Sequence, residues 1–268
     1  MKVKFLHVPK TAGTSVRIFL QQFFLSRHIC PATDNLEFLA LSPEQLRSYR
    51  LFTGHFDWTH LDQIEGESFT FSILRRPQDR LVSYYFYMRA EGAKLDERRL
   101  ALDENRGFHA ALTLPPDAFF CDGGTDEVRR HLDALFDNFY AYYFAERYFD
   151  ARRRIRVGSS ISEAELLAKA NRNLDALDGL YSIDDLAAVE EDLVAACARG
   201  IVGRWGALRA RFSPLRSLTL NQGSGNHASR IADLKSLGAT RRTFDRLEEM
   251  TRLDDVIWKR MTSRRRRV

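Results

Sequence analysis

Short apolar runs alternate with amphipathic segments along the first third of the chain. Apolar runs at 4–8, 51–54 and 69–74 predict buried strands. Segments with helical periodicity predict helices at 15–24, at 42–50 (with Ser42 as the cap and Pro43 at the first helical position) and at 77–89. Strands that alternate with helices are typical of a parallel sheet. The pattern therefore predicts an α/β fold with a central parallel sheet flanked by helices.

The second half of the chain has a more helical pattern. The elements predicted there are a helix at 163–174 capped by Ser162, a strand at 179–183, a helix at 184–199, a polar loop at 218–229 and an amphipathic helical region at 240–261. The pattern leaves open whether this last region is broken near Arg252. Length and pattern together favour a single domain.

We expect this single domain to span residues 1–268, and two segments within it differ from the rest. Residues 90–130 are charged at first and then rich in Pro and Gly, which predicts a helical excursion followed by a loop. Such an insertion is either an acceptor-binding lid or structural padding, and the sequence does not separate the two. The Arg-rich end, residues 264–268, is expected to be a disordered basic tail.

Composition limits the function classes. The hydrophobic fraction is 44% and the formal net charge is +5, with arginine more common than lysine. A modest positive charge suits an anionic cofactor or a polyanionic acceptor, but it also suits an inert surface. No apolar run approaches the roughly 20 residues of a membrane helix, and the 3 cysteines form no metal or disulfide pattern. We expect a cytoplasmic protein with no transmembrane segment, no metal and no nucleic-acid partner.

A small, hydroxyl-rich loop (residues 9–15, the first loop) lies between the first strand and the first helix. Backbone N–H groups at a helix N-terminus, together with the helix dipole, favour a bound anion. Glycine permits close backbone approach, lysine adds charge and hydroxyls add donors. The candidate ligand-binding residues are Lys10, Thr11, Ala12, Gly13, Thr14 and Ser15. The ligand should carry phosphate or a group of similar shape.

The first loop does not fit the phosphate loop of nucleoside triphosphatases. In that motif the lysine follows the last glycine, whereas Lys10 precedes Gly13 here. The order Pro-Lys-Thr-Ala-Gly-Thr-Ser instead resembles the 5′-phosphosulfate loop of sulfotransferases, which use 3′-phosphoadenosine 5′-phosphosulfate (PAPS) as donor and have a P-loop-like fold. By this resemblance, the first loop would bind the 5′-phosphosulfate group.

A second motif follows the third predicted strand. Arg75 stands at the strand end and Ser83 lies about two helical turns farther along, so both side chains can face one ligand. The segment resembles the Arg-x-Pro…Arg-Leu-x-Ser motif of the same family, which implies that Arg75 and Ser83 hold the 3′-phosphate. The alternative is that Arg75 is a surface ion-pair partner and Ser83 a tolerated polar residue.

A histidine, His55, lies between these two motifs, just after the second predicted strand. Imidazole suits proton transfer near neutral pH, and open α/β sheets bind ligands at the carboxyl ends of their strands. His55-Phe-Asp-Trp-Thr59 resembles a stretch of the glucosaminyl 6-O-sulfotransferases, and the Gly-His step resembles the uronyl 2-O-sulfotransferases, which implies that His55 is the catalytic base. A structural role for His55, or His60 as the base, are the alternatives.

The resemblance implies a carbohydrate-type sulfotransferase in which His55 takes the acceptor hydroxyl proton and Lys10 stabilises charge on the leaving phosphate. The product would be adenosine 3′,5′-bisphosphate, and the acceptor a saccharide or glycoconjugate hydroxyl. Two rivals stay open at this point. A kinase-like phosphotransferase would need ATP and Mg²⁺, and a non-catalytic nucleotide- or polyanion-binding module would bind without transferring.

Overall fold

The computed structural model describes residues 1–149, 161–197, 208, 212–215 and 227–265. A four-stranded sheet lies at the centre of this structure. Its strands are β1 (Lys2–Leu6), β2 (Leu51–Gly54), β3 (Ser68–Leu74) and β4 (Gly179–Ser182). They are arranged in the order β2-β1-β3-β4, and every neighbouring pair is parallel. The predicted α/β class with a parallel sheet is therefore confirmed.

Helices cover both faces of the sheet. The described α-helices are α1 (Gly13–Gln21), α2 (Asn35–Leu39), α3 (Pro43–Ser48), α4 (Trp58–Asp62), α5 (Pro77–Gly92), α6 (Glu97–Leu100), α7 (Arg106–Thr113), α8 (Asp126–Phe136), α9 (Phe139–Glu146), α10 (Glu163–Asp175), α11 (Leu186–Cys197), α12 (His227–Ser236) and α13 (Arg241–Arg265). Within the described ranges, no helix is long and apolar enough to cross a membrane.

Side chains of β1 point alternately to the two faces and build separate cores. Val3 and Phe5 pack with apolar residues of α1 and α11 on one face. Leu6 faces the other side, where it packs with side chains of β2, α9, α10 and α13. A parallel sheet covered on both faces favours strands that are mainly apolar. The polar side chains of Lys4 and Ser72, which β1 and β3 bury, donate to backbone carbonyls.

The predicted bounds hold best where a local signal marks them. Ser42 and Ser162 each form a capping box with the residue three positions later, as expected from their sequence context. The first strand, however, ends at Leu6 rather than at Val8. The reason is local: the Thr11 hydroxyl donates to the Val8 carbonyl, 2.8 Å away, and so draws Val8 into the turn.

Residues 90–130 are more regular than the sequence predicts. The helical part contains α6 and α7, and the part expected to be a loop contains a π-helical turn at Ala118–Asp122 and the start of α8. Phe119 and Phe120 of this turn are buried against Tyr85 of α5, so the insertion belongs to a packed core. Whether it also binds an acceptor is a separate question that stays a prediction.

Four features of the last third of the chain can be compared with the prediction. The expected polar loop at 218–229 lies outside the described residues up to 226, but helix α12 already begins at His227. Helix α13 runs without a break through Arg252. It continues through 264 and 265, which the sequence assigns to a disordered tail, while 266–268 lie outside the described residues. The predicted helix at 184–199 is described only to Cys197 and follows a short 3-10 turn.

The strand order places a crevice between β1 and β3. From β1 the chain crosses to β2 on one side, whereas β3 leads to β4 on the other side. In open α/β sheets the carboxyl ends of strands at such a switch point are where ligands bind. The segments that leave these two strand ends are the first loop and the turn that begins at Arg75. The topology therefore brings two candidate motifs to one edge of the sheet.

Candidate functional site

The first loop holds its backbone in an unusual conformation. Lys10 has a φ of 69° and Ala12 a φ of 67°, both in the left-handed region that side chains disfavour. Such strain is found mainly where the surrounding structure imposes it, often at binding sites. Left-handed residues in a tight turn bring successive N–H groups to one concave side, which favours an anion. The Thr11 hydroxyl donates within the loop, so it does not act as a donor to a ligand.

Helix α1 begins directly after this loop and has no side-chain cap. Ala12 occupies the N-cap position, and no acidic residue lies in the first turn. The N–H groups at the start of a helix need partners, and a bound anion provides them. Of the two hydroxyl residues predicted here, Thr14 is exposed and Ser15 is buried. The helix start is thus suited to an anion through its backbone and through Thr14.

Three cations, Lys10 of the first loop, Arg75 and Arg230, lie close enough to affect one another's pKa. Burial, together with nearby Arg75 and Arg230, lowers the pKa of Lys10 to about 8, while Glu91 raises it in part. Burial and Arg230 likewise lower the pKa of Arg75 to about 10. Within the described part of the chain, neither Lys10 nor Arg75 forms an ion pair. Like charges held together in a partly buried position favour a ligand with more than one negative charge.

Arg230 is a member of this group that the sequence does not reveal. It lies in α12, its side chain is buried, and burial lowers its pKa. In the sequence, Arg230 directly follows a segment predicted to be a polar, glycine-containing loop. The chain contains many arginines, so this position alone does not indicate a binding residue. Only the fold brings it to the carboxyl ends of β1 and β3.

Ser83 lies on the side of α5 that approaches the first loop. Tyr87 follows Ser83 by one helical turn on the same face, and the Lys10 Nζ atom lies 4.0 Å from the centroid of the Tyr87 ring. Ser83 is half-buried, and its hydroxyl has no hydrogen-bond partner among the described residues. Arg75 and Lys10 therefore lie near each other, and Ser83 is on the face of α5 whose Tyr87 contacts Lys10. That Arg75 and Ser83 hold one ligand stays a prediction.

His55 follows β2 and is held by backbone on two sides. Its N–H donates to the Thr33 carbonyl at 2.8 Å, and its ring Nδ1 lies 2.9 Å from the His7 carbonyl oxygen. Because a carbonyl oxygen only accepts, Nδ1 carries the ring proton and the lone pair of the neutral ring is on Nε2. Burial lowers the pKa of His55 below 6.5. The side chain is therefore a neutral proton acceptor at pH 7.

His7 links this histidine to the first loop. Its ring stacks on the His55 ring with a centroid distance of 4.3 Å. A Cβ atom on Gly13 would lie 1.6 Å from the His7 Nε2 atom, so His7 packs directly against the start of α1. Burial lowers the pKa of His7 well below 6.5, and His55 and Lys10 act in the same direction. His7 is not among the residues that the sequence motifs indicate, although it stands one residue past the end of β1.

His60, the alternative base, lies in a different environment. Its Nδ1 atom is 3.1 Å from the Asn35 side-chain oxygen, and its ring stacks on buried Phe38. Asn35 in turn pairs with the buried Asp57. No contact described for His60 joins it to the first loop, whereas His55 reaches that loop through His7. Of the two histidines, His55 is the one that the geometry places beside the cations.

Comparison with known proteins adds no family assignment. Neither the models of known protein families nor the curated proteins give a match to this chain. In the part of the chain that the structure describes, no group of three or more His, Cys, Asp or Glu side chains is arranged to hold a metal ion. The geometry of the site itself therefore has to support any functional conclusion.

Proposed function

We propose that this chain is a sulfotransferase that moves a sulfuryl group from PAPS to a hydroxyl of a carbohydrate or glycoconjugate. Its fold is accordingly proposed to be of the P-loop-like sulfotransferase type. The observation that carries the proposal is the pairing of a strained loop at a helix N-terminus with a neutral imidazole. His7 supplies both the carbonyl that holds His55 and the ring that packs on Gly13.

The residues present fit the two anionic ends of such a donor. The N–H groups of the first loop and Lys10 would hold the 5′-phosphosulfate group. Arg75, Ser83 and Arg230 would hold the 3′-phosphate. Arg75 precedes α5, Ser83 lies within it and Arg230 lies in α12, so together they extend the positive region beyond the loop. Arginine matches phosphate oxygens through two parallel N–H donors, which favours it for the terminal group.

When bound, the donor supplies a sulfuryl group joined to a phosphate that can leave. His55 Nε2 accepts the proton of the acceptor hydroxyl, because its Nδ1–H is committed to the His7 carbonyl. Lys10 and the loop N–H groups neutralise the negative charge that grows at the phosphate end. Preorganised donors of this kind typically contribute about 3–4 kcal/mol each to lowering the barrier.

Calorimetric titration tests the donor assignment. We expect adenosine 3′,5′-bisphosphate to bind more tightly than ATP with Mg²⁺. Arg75→Ala should weaken bisphosphate binding by roughly tenfold or more, the cost of a charge-assisted hydrogen bond. Arg76→Ala is the matched control, because Arg76 is adjacent but exposed, and its affinity should stay near wild type. Tighter binding of ATP with Mg²⁺ would instead favour the kinase-like alternative.

An acceptor screen with radiolabelled PAPS tests the reaction. His55→Ala should lose about two to three orders of magnitude in transfer rate while it still binds the bisphosphate. His60→Ala is the matched control and should keep most of the activity. The reverse result would assign the base to His60. Bisphosphate binding without transfer to any acceptor would identify a non-catalytic binding module.

A further inference from the structure

Helix α9 carries two buried tyrosines three residues apart, Tyr140 and Tyr143. Residues at this spacing lie on neighbouring positions of one helix face. Their hydroxyls bond to two different chain segments, one that follows β3 and one that follows β2. Because β1 separates these strands, the two segments are roughly 9–10 Å apart. One helix face therefore reaches both sides of the candidate site.

Tyr140 holds the backbone of Arg75 at two points. The Tyr140 hydroxyl donates to the Arg75 carbonyl at 2.8 Å, and the Arg75 N–H donates to the Tyr140 oxygen at 3.2 Å. The first residue after a parallel strand has no further ladder partner of its own, so its peptide groups need others. The Tyr140 hydroxyl thus bonds both the N–H and the carbonyl of Arg75, and so fixes the backbone from which the Arg75 side chain extends.

Tyr143 holds the segment that carries His55. Its hydroxyl donates to the Phe56 carbonyl at 3.1 Å. The N–H of His55 is bonded to the Thr33 carbonyl, so His55 lies between two fixed backbone points. Its ring also lies 5.3 Å from the Phe149 ring, which packs against Tyr143. The orientation of the His55 imidazole therefore depends on contacts with Phe149 and, through it, with Tyr143 of α9.

Helix α9 is itself tied down at both ends. At its start, the Asn138 side chain accepts from the Leu253 N–H at 2.7 Å. The Ala141 N–H donates to the buried Asp254 carboxylate at 2.9 Å. At its end, Arg147 forms a two-point ion pair with Asp62, the last residue of α4. A helix held at both ends keeps the backbone groups that its side chains bind in fixed positions.

We infer that Tyr140 and Tyr143 are separate positioning residues, Tyr140 for the anion-binding half of the site and Tyr143 for the base. This inference rests on the proposed function and deepens it. Neither tyrosine touches the ligand, and each acts through a backbone group next to a functional residue. Removal of one hydroxyl should therefore impair one half of the site and leave the other half intact.

The variants Tyr140→Phe and Tyr143→Phe keep the rings and remove only the hydroxyls. Tyr140→Phe should raise the Kd for adenosine 3′,5′-bisphosphate by roughly tenfold and leave the pH dependence of kcat unchanged. Tyr143→Phe should leave that Kd near wild type, lower kcat by roughly tenfold and shift the acidic limb of the kcat profile. Tyr181→Phe is the control for general destabilisation, because its buried hydroxyl bonds to Asp192, away from the site.

Two measurements without ligand make the result independent of the proposed reaction. Exchange of the Arg75 amide hydrogen should speed up in Tyr140→Phe alone. The His55 imidazole NMR signals, assigned with His55→Ala, should move in Tyr143→Phe alone. If wild type fails to bind the bisphosphate, the proposed function fails, and these two readouts still decide the positioning roles. Equal effects of both variants on both readouts, or effects no larger than in Tyr181→Phe, would overturn the inference.

Discussion

The ammonium group of Lys10 lies 4.0 Å from the centre of the Tyr87 ring, over its face. Such a contact stabilises a cation by about 0.5–1 kcal/mol at a partly exposed site. It matters here because Arg75 and Arg230 act against the charge on Lys10, and no ion pair to Lys10 is formed among the described residues. The face of the ring therefore offsets part of the repulsion that Arg75 and Arg230 exert on Lys10.

Replacement of the Tyr87 ring by an aliphatic side chain of similar bulk should lower the pKa of Lys10, because it removes a contact that stabilises the charged form. Tyr87→Leu is expected to weaken bisphosphate binding at pH 8 by roughly two- to fivefold, the size of one cation–π contact. Tyr87→Phe retains the aromatic face and should match wild type. The measurement is the affinity as a function of pH for the three proteins. If Tyr87→Leu behaves as Tyr87→Phe does, the ring does not hold Lys10.

The pH dependence of kcat/KM should be bell-shaped. The acidic limb should lie below pH 6.5, because His55 must be neutral to accept a proton and burial lowers its pKa. The rate should fall again as the pH rises past about 8, where Lys10 loses its charge. In Lys10→Arg the side chain stays charged at every accessible pH, so the basic limb should disappear. A basic limb that persists in this variant would assign it to another group.

Gly13→Ala should disturb both the first loop and the base. The added Cβ would lie 1.6 Å from the His7 ring, and overpacking of this kind typically costs about 1–3 kcal/mol. The clash should lower the melting temperature. Because the displaced His7 ring stacks on His55, we also expect the rate of sulfuryl transfer to fall by a larger factor than the affinity for the bisphosphate. The double variant His7→Ala/Gly13→Ala removes the clash and should recover stability. Without such recovery, the damage comes from the backbone of residue 13 instead.

Local signals made part of this fold readable from the sequence. The caps Ser42 and Ser162 lie within three residues of their partners, so the sequence alone determines them. The first loop and the turn at Arg75 were likewise found because strand, loop and helix follow one another directly. The sequence predicts that the first strand ends at Val8, whereas β1 ends at Leu6. The reason is that Val8 is apolar and buried although it lies in a turn.

The remaining parts of the site depend on tertiary contacts. Arg230 and Tyr140 reach the end of β3 from distant parts of the chain, and nothing in their local sequence marks this role. His7 also could not be assigned to the site from the sequence, because its role depends on the contact between its carbonyl and the His55 ring. Composition also misled at 227–229, where polar residues suggested a loop and a helix begins.

Asp254 should make stability depend on pH. Burial raises its pKa from 3.8 to about 7, although Arg80 acts in the opposite direction. The folded state therefore holds this proton more tightly than the unfolded state, and the resulting stabilisation is lost as the pH rises from about 4 to 7. Relative to wild type, Asp254→Asn should gain roughly 2–3 kcal/mol in unfolding free energy between pH 5 and pH 8. Denaturant titration at both values checks this, and a constant difference would contradict it.

The packing of His7 on Gly13 has a consequence for selectivity. The ring fills the space behind the start of α1, and the Thr11 hydroxyl ties the loop to itself at Val8. These groups are ordered by folding, so a ligand need not arrange them and loses little affinity to conformational entropy. The same rigidity prevents the loop from widening around a group of another size. We therefore expect the first loop to select anions by their size as well as by their charge.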